Sequence, residues 1–150
     1  MVQSNEYSDD EKLTPVLTAN KAFILGFTNE KEGVFRNVPC IIFDDFTMDS
    51  KFVGFPFKVK SSAIKILKGD CDEMTRFAYE FLKNQNLSST EHKRHYISEI
   101  SRMAVVVPDA NTMKALSGLF AAIERKIEVE KAIANCYQLE RQYFLRNLFI

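Results

Sequence analysis

The segment from His92 to Tyr96, HKRHY, contains the densest group of side chains able to contact nucleic acid. Arg94 can form paired hydrogen bonds with base edges or phosphates, and Tyr96 can stack or donate a hydrogen bond. His92 and His95 would share one face of a helix, but the neighbouring cations would repel a metal ion. The segment therefore favours a nucleic-acid contact over a zinc site, and a merely solvated basic face is the alternative.

A second basic stretch runs from Lys51 to Lys68 and contains five lysines and no acidic residue. Lysine contacts to phosphate supply most of the sequence-independent affinity for DNA. The stretch also alternates like a strand, which predicts Phe57 and Val59 on a buried face and Lys58 and Lys60 on a solvated one. A DNA-binding strip and an ordinary strand with one buried face are both open interpretations.

Two adjacent carboxylates, Asp44 and Asp45, follow the apolar run from Val38 to Phe43. They could bind a metal or exchange protons, but no third ligand stands at a recognisable spacing. A turn held by hydrogen bonds to the aspartate side chains is the simpler interpretation. The sequence has no glycine-rich nucleotide loop and no catalytic cysteine signature, so we expect no cofactor, no metal and no self-contained enzyme.

The composition is that of one compact domain with at most an appendage. The chain has 150 residues, and 20 basic and 20 acidic side chains give a formal net charge of zero. No global field therefore steers it towards DNA or membranes, and any electrostatic partner must bind a local patch. Cys40, Cys71 and Cys136 lack paired spacings, and the acidic start resembles no signal peptide, so we expect a cytoplasmic protein.

Residues 1–108 predict a mixed domain of short β segments with one helix. The runs Leu13–Phe27, Val38–Phe43 and Lys51–Leu67 are typical of strands, and Pro56 excludes the middle of a sheet. Asp70 could cap a helix over Cys71–Leu82, with Glu73 completing a capping box. Its predicted inner face comprises Met74, Phe77, Ala78 and Phe81. Arg102–Val107 predicts one further strand, which ends at Pro108.

Residues 109–150 predict a long helix entered through Pro108 and Asp109. An alternating three-four spacing from Met113 to Leu148 forms a heptad seam typical of a coiled coil, with Glu130 and Arg141 at two core positions. Its predicted partner interface is Leu116, Phe120, Ile123, Ile127, Ala134, Tyr137, Phe144 and Leu148. The alternative is a helix folded back over its own domain. The expected fold class is thus α+β, a small mixed domain followed by a coiled-coil-forming helix.

The run from Val16 to Leu67, VLTANKAFILGFTNEKEGVFRNVPCIIFDDFTMDSKFVGFPFKVKSSAIKIL, resembles the target recognition domain of a type I restriction-modification specificity subunit. EHKRHYIS, from Glu91 to Ser98, resembles the end of that domain, and RMAVVVP, from Arg102 to Pro108, resembles the stretch before the family's long helix. The resemblance covers one half of such a subunit and begins almost at the first residue, which predicts an N-terminally shortened recognition domain.

This resemblance implies a non-catalytic, sequence-specific DNA-recognition subunit. The expected partners are double-stranded DNA, the methyltransferase subunit and through it the restriction subunit, and a second recognition unit, with a homodimer formed by helix pairing. Matching positions give these DNA-contacting candidates: Thr18, Asn20, Lys21, Lys58, Lys60, Ser61, His92, Lys93, Arg94 and Tyr96. Asn20 and Arg94 are the expected base-reading residues.

Asp44, Asp45 and Thr47 are interpreted as loop-forming residues, with a cytosine contact as the alternative. Two other functions also remain open. One is a protein-interaction module that assembles through the helix without reading DNA, and the other is a metal-dependent nuclease.

Overall fold

The computed structural model describes residues 7–19, 22–87, 96 and 99–148. The chain divides into two compact units, Met1–Val107 and Pro108–Ile150, which we call the head and the tail. Small β-sheets followed by a long helix confirm the predicted α+β class. The described residues form these elements: β1 Thr14–Leu17, β2 Ile24–Thr28, β3 Cys40–Asp44, β4 Ser50–Val53, β5 Lys58–Val59, β6 Ile64–Leu67, α1 Asp72–Asn84, a 3-10 turn Ile100–Arg102, and α2 Ala110–Leu148.

The first sheet of the head has the strand order β2-β1-β5. β1 and β2 form an antiparallel hairpin, and β5 pairs with β1 in parallel, with Val16 opposite Lys58. The predicted single run Leu13–Phe27 is therefore two strands joined by a turn. Gly26 in β2 has φ +148°, and a Cβ there would lie 2.8 Å from the Cβ of Tyr7, so glycine is the residue that fits.

The second sheet has β3 at its centre, antiparallel to both β4 and β6. All five residues of β3 are buried, which explains why its sequence, CIIFD, is an almost continuous apolar run. Cys40 and Ile42 pack into one core cluster, while Ile41 and Phe43 pack into another. Burial of each large apolar side chain contributes about 1.5–3 kcal/mol, so β3 anchors both cores.

Helix α1 begins one residue later than predicted and buries a different face. Its N-cap is Cys71, whose Sγ accepts a hydrogen bond from the backbone N–H of Met74, so the predicted Asp70 capping box is wrong. The predicted inner face is also wrong by one position: its members, Met74, Phe77, Ala78 and Phe81, are only partly buried. The buried residues are Thr75, Arg76, Tyr79 and Leu82.

Aromatic stacking explains the shift of that face. The guanidinium carbon of Arg76 lies 4.8 Å from the ring centroid of Phe52, and the rings of Phe52 and Tyr79 are 5.6 Å apart. A planar guanidinium can stack on aromatic faces while its polar edge reaches a carboxylate, here Glu80 at 3.1 Å. The displaced residues Met74, Phe77 and Phe81 instead line an apolar groove of about 440 Å³ in the head.

The predicted strand Arg102–Val107 is wrong. Residues 100–102 form a 3-10 turn, and residues 103–109 have no regular secondary structure. Val106 is 93% exposed. Its β-branched side chain, which favoured a strand in the sequence, is therefore not packed in a sheet. Apolar runs without a pairing partner do not form strands, because their backbone hydrogen bonds have nowhere to go.

The tail is a 39-residue helix, α2, about 58 Å long at a rise of about 1.5 Å per residue. It starts at Ala110, as the predicted Pro108 and Asp109 start signals require. The Asp109 carboxylate accepts hydrogen bonds from the backbone N–H groups of Asn111 and Thr112, at 3.0 and 3.1 Å. These bonds satisfy donors that the first turn leaves free. In the described part of the chain, no helix is long and apolar enough to cross a membrane.

Candidate nucleic-acid interface

The structure brings together two of the segments that the sequence analysis singled out. β1 and β5 run in parallel, so their carboxyl ends meet at one edge of the first sheet. Thr18 follows β1, and Lys60 and Ser61 follow β5. The backbone N–H of Lys60 donates to the carbonyl oxygen of Leu17 at 3.1 Å, which fixes the two segments side by side.

The hairpin turn after β1 is closed by a hydrogen bond from the N–H of Thr18 to the carbonyl of Phe23, at 2.9 Å. Thr18 itself is only 5% exposed, so its side chain contributes to packing. The predicted residues Asn20 and Lys21 come next in the sequence but lie outside the described residues, as do His92, Lys93 and Arg94.

Lys58 is not on a solvated face, in contrast to the predicted alternation. It is 5% exposed, and its Nζ forms an ion pair with Oε2 of Glu30. Because β5 lies directly beside β1, both Phe57 and Lys58 are enclosed by the sheet and its loops. A buried ammonium requires such a partner, since an unpaired charge would cost several kcal/mol. The charge of Lys58 is therefore neutralised within the head and is not free to bind a phosphate.

Two other lysines of the basic stretch also face carboxylates. Lys65 Nζ lies 3.7 Å from Asp45 Oδ2, and Lys68 Nζ lies 3.8 Å from Asp72 Oδ1. Lys60 is exposed, and within the described ranges no carboxylate comes within ion-pairing distance of it. The local positive charge is consequently smaller than the lysine count suggests.

Ser61 belongs to the turn between β5 and β6. Its Oγ accepts a hydrogen bond from the backbone N–H of Ala63 at 3.3 Å, and its carbonyl accepts one from Ile64. The hydroxyl hydrogen remains available for donation, because the oxygen acts only as an acceptor in this bond. The side chain of Ser61 is partly exposed at the edge that also carries Lys60.

The aspartate pair at the end of β3 builds a turn, as the simpler interpretation predicted. Asp44 Oδ1 accepts hydrogen bonds from the backbone N–H groups of Phe46 and Thr47, at 2.9 and 3.1 Å. Among the described residues, no group of three or more histidine, cysteine or acidic side chains is arranged to hold a metal ion.

Asp45 has a role that the sequence did not reveal. Its carboxylate is 2% exposed, and Oδ1 accepts a hydrogen bond from the backbone N–H of Tyr96 at 2.8 Å. The Tyr96 ring packs against Phe43, with centroids 6.0 Å apart. Asp45 thus fixes the backbone of Tyr96, two residues after Arg94, to the turn that directly follows the central strand of the second sheet. The two residues are 51 positions apart, so no local sequence pattern predicts their contact. The only available signal is that Asp45 directly follows an apolar strand, where a buried residue is expected.

The tail presents apolar side chains along most of α2. Among the predicted interface residues, Leu116 and Phe120 are partly buried and Ile123, Ile127, Ala134, Tyr137, Phe144 and Leu148 are exposed. Tyr137 and Leu148 are 66% and 68% exposed. Lone apolar side chains are common on surfaces, but a continuous apolar stripe of this length usually marks an interaction surface. The pairing of this helix as a coiled coil stays a prediction.

Comparison with curated proteins relates the chain to the specificity subunits of type I restriction enzymes. The matching protein is the type I restriction enzyme EcoR124I/EcoR124II specificity subunit of Escherichia coli, which is 41% identical over 114 residues. The match covers 72% of this chain and 28% of that subunit, so the chain spans little more than a quarter of its relative. No family model matches the chain, and no solved structure matches it. The resemblance seen in the sequence is confirmed.

Proposed function

We propose that this chain is a DNA-recognition component of a type I restriction-modification system and catalyses no reaction itself. The observation that carries the proposal is the 41% identity to a type I specificity subunit. Identity at this level over 114 residues supports a shared fold and a shared role for the two segments. The geometry of the head agrees with that role, because Lys60 and Ser61 lie in a turn at the edge of the first sheet, and binding residues usually lie on such turns.

The proposed DNA-contacting surface comprises the turn after β1, the turn after β5 and the segment that ends at Tyr96. The first two meet at one sheet edge through the hydrogen bond from Lys60 to Leu17. The third is fixed to the other sheet through Asp45. These connections hold the backbone of Lys60 and of Tyr96 in place, and such pre-organisation reduces the entropy lost on binding.

Base reading is assigned to Asn20 and Arg94, because an amide can pair with adenine and a guanidinium with guanine. Lys58 is reassigned from DNA contact to support of the head, since Glu30 neutralises its charge. Phosphate contacts and other polar contacts to the DNA backbone are assigned to Lys21, Lys60, Ser61, His92, Lys93 and Tyr96. Thr18 supports the turn from its buried position.

The tail is proposed to assemble the complex. Its apolar stripe would pair with the tail of a second copy of this chain, which gives two recognition heads for the two halves of a split DNA site. Methyltransferase subunits would bind this assembly, and the restriction subunit would join through them. The chain would therefore position catalytic partners on DNA.

DNA binding is best measured with the chain purified together with its methyltransferase subunit. Fluorescence anisotropy with labelled duplexes at several salt concentrations gives the number of phosphate contacts, because the logarithm of affinity falls by about 0.9 per phosphate for each logarithmic unit of salt. An affinity that does not change between low and moderate salt would contradict the proposed phosphate contacts.

Single substitutions separate base reading from phosphate binding. Lys60→Ala should lower the salt slope by about one and weaken all duplexes equally. Arg94→Ala should reduce the preference for the selected site over scrambled duplexes, by about 1–3 kcal/mol. Lys31→Ala removes the same charge from an exposed lysine in the loop after β2, and should have little effect because the antiparallel β2 ends at the sheet edge opposite to the carboxyl ends of β1 and β5. Equal losses for Lys60→Ala and Lys31→Ala would refute the assigned surface.

A second candidate is a protein-interaction module that assembles through the tail without reading DNA. It is favoured by one observation, the pairing of Lys58, Lys65 and Lys68 with carboxylates, which leaves little free charge on the basic stretch. A complex that forms with the methyltransferase subunit but binds selected and scrambled duplexes with equal affinity would support this module.

A further inference from the structure

An aromatic side chain lies exposed in the turn between β3 and β4. Phe46 is 40% exposed, whereas Asp45 and Met48, which flank it in the turn, are 2% and 5% exposed. Met48 belongs to the core cluster that also contains Phe43. The turn therefore buries residues on both sides of Phe46 and leaves part of this large apolar ring in water, where it stabilises the head less than a fully buried ring would.

Hydrogen bonds fix the backbone of this turn. The Asp44 carboxylate accepts a hydrogen bond from the N–H of Phe46 at 2.9 Å, and the Asp44 carbonyl accepts one from the N–H of Met48 at 3.0 Å. The N–H of Asp44 donates to the carbonyl of Asp49 at 2.9 Å, which closes the turn. A contact made by the Phe46 ring would therefore cost little backbone entropy.

The turn adjoins the proposed DNA-contacting surface through Asp45. The N–H of Asp45 donates to the carbonyl of Ala63 at 3.0 Å, and its carboxylate accepts from the N–H of Tyr96 at 2.8 Å. Ala63 lies two residues after Ser61, in the turn that follows β5. Phe46 directly follows the residue that joins two segments of that surface.

We propose that Phe46 reads the 5-methyl group of a thymine in the major groove of the target DNA. This inference rests on the proposed DNA recognition, and it adds a specificity-determining residue. Base pairs present hydrogen-bond donors and acceptors in the major groove, and the thymine methyl is the apolar group among them. It is therefore the base-edge group that complements an exposed apolar ring.

This contact complements the base reading already assigned. The Asn20 amide and the Arg94 guanidinium suit adenine and guanine, which are purines. A methyl contact by Phe46 reads a pyrimidine, and it distinguishes thymine from cytosine, which lacks the methyl group. The three side chains would thus supply different information about the target.

The exposure of Phe46 favours a shallow contact over insertion between base pairs. A side chain that separates stacked bases must enter the stack with most of its apolar surface, as the wedge residues of minor-groove proteins do. Phe46 is more than half covered by the head, and its turn is held by hydrogen bonds. The part of the ring that remains exposed is suited to pack against a single methyl group.

Removal of single methyl groups from the DNA tests the contact without changing the protein. The chain is purified with its methyltransferase subunit, and each thymine of the selected duplex is replaced in turn by deoxyuridine, which pairs normally and lacks only the methyl group. Fluorescence anisotropy at constant salt should show about fourfold weaker binding for one thymine of a half-site, the effect of one methyl-sized apolar contact. Binding that no replacement weakens, or a selected site without thymine, would overturn the proposal.

Substitutions in the protein then assign the methyl contact to Phe46. Phe46→Ala should bind the thymine and deoxyuridine duplexes with equal affinity, whereas Phe46→Leu, which keeps an apolar side chain, should retain a difference of about twofold. Lys60→Ala is the matched control, because it should weaken both duplexes and keep the full fourfold difference. Circular dichroism checks that each variant is folded. A folded Phe46→Ala that still distinguishes thymine from deoxyuridine as the wild type does would refute the assignment.

The outcomes separate methyl reading from DNA recognition itself. A wild-type complex that prefers the selected site and binds more weakly as salt rises, yet is insensitive to every methyl group, overturns the Phe46 contact and leaves the proposed function intact. A complex with neither preference nor salt dependence overturns both. If Phe46→Ala weakens selected and scrambled duplexes equally while deoxyuridine has no effect, the ring contacts DNA without reading the methyl group, and the proposal is overturned.

Discussion

Replacement of Asp45 by alanine should loosen the segment that ends at Tyr96 and destabilise the head. The substitution removes the acceptor of the Tyr96 N–H, which lies 2.8 Å from Oδ1, and the Lys65 partner at 3.7 Å. A hydrogen bond to a charged group contributes about 1.5–3 kcal/mol. The pair with the partly exposed Lys65 adds at most about 1 kcal/mol. We expect the free energy of unfolding to fall by about 1.5–4 kcal/mol.

Urea denaturation, followed by far-UV circular dichroism, measures this loss. Asp45→Asn is the matched control, because its amide oxygen still accepts from Tyr96 while the charge opposite Lys65 is gone. It should cost only about 1 kcal/mol. If Asp45→Ala and Asp45→Asn were equally destabilised, the hydrogen bond to Tyr96 would not be the main contribution and the reasoning would be refuted.

Hydrogen exchange locates the effect within the head. In Asp45→Ala, the amide of Tyr96 should exchange faster, because its hydrogen bond to the Asp45 carboxylate is lost. Peptides from Cys40–Asp44 should keep their protection as long as the protein remains folded. Uniform acceleration across the head would mean that Asp45 acts on the whole core and does not specifically position the Tyr96 segment.

Three further predictions follow from single residues. Lys58→Met should change the free energy of unfolding by less than about 1 kcal/mol, whereas Lys58→Ala should cost about 1–3 kcal/mol in lost packing, both measured by urea denaturation. Burial raises the pKa of Cys40 to about 11, so at pH 8 iodoacetamide should alkylate the exposed Cys136 rapidly and Cys40 only after unfolding, as read by mass spectrometry. Hydrogen bonds from Thr112 lower the pKa of Asp109, so its stabilisation of α2 is present above the ordinary aspartate pKa and lost as the pH falls through the lowered value; circular dichroism should show this acid loss in the wild type but not in Asp109→Asn.

The elements that the sequence predicted well are those with a strong local signal. β3 is a short apolar run bounded by polar residues, and it is buried on both faces. The start of α2 follows from Asp109, whose side chain caps the first turn wherever the helix lies. Both predictions depend on neighbours in the sequence and need no knowledge of distant contacts.

The predictions that failed concern contacts between distant segments. The buried face of α1 is set by stacking of Arg76 on Phe52, which no helical pattern reveals because arginine counts as a polar residue. Lys58 is buried because Glu30 lies beside it, 28 positions earlier. The candidate site shares this limitation, since the tether from Asp45 to Tyr96 joins two loops with no sequence pattern in common.

The width of the apolar surface on α2 bears on how many chains can assemble around it. A self-paired seam covers Ile123, Ile127 and their equivalents, but Leu119 and Val129 lie to one side of that line and are more than half exposed. Successive residues of an α-helix are about 100° apart around its axis, so side chains beside the seam cannot face the partner helix that covers the seam. A dimer of this chain would therefore still present apolar flanks, and these flanks are where a methyltransferase subunit could bind without displacing the second copy. Substitution of Val129 by glutamate should then weaken methyltransferase binding while the dimer persists in sedimentation, and loss of both together would show that a single surface serves both partners.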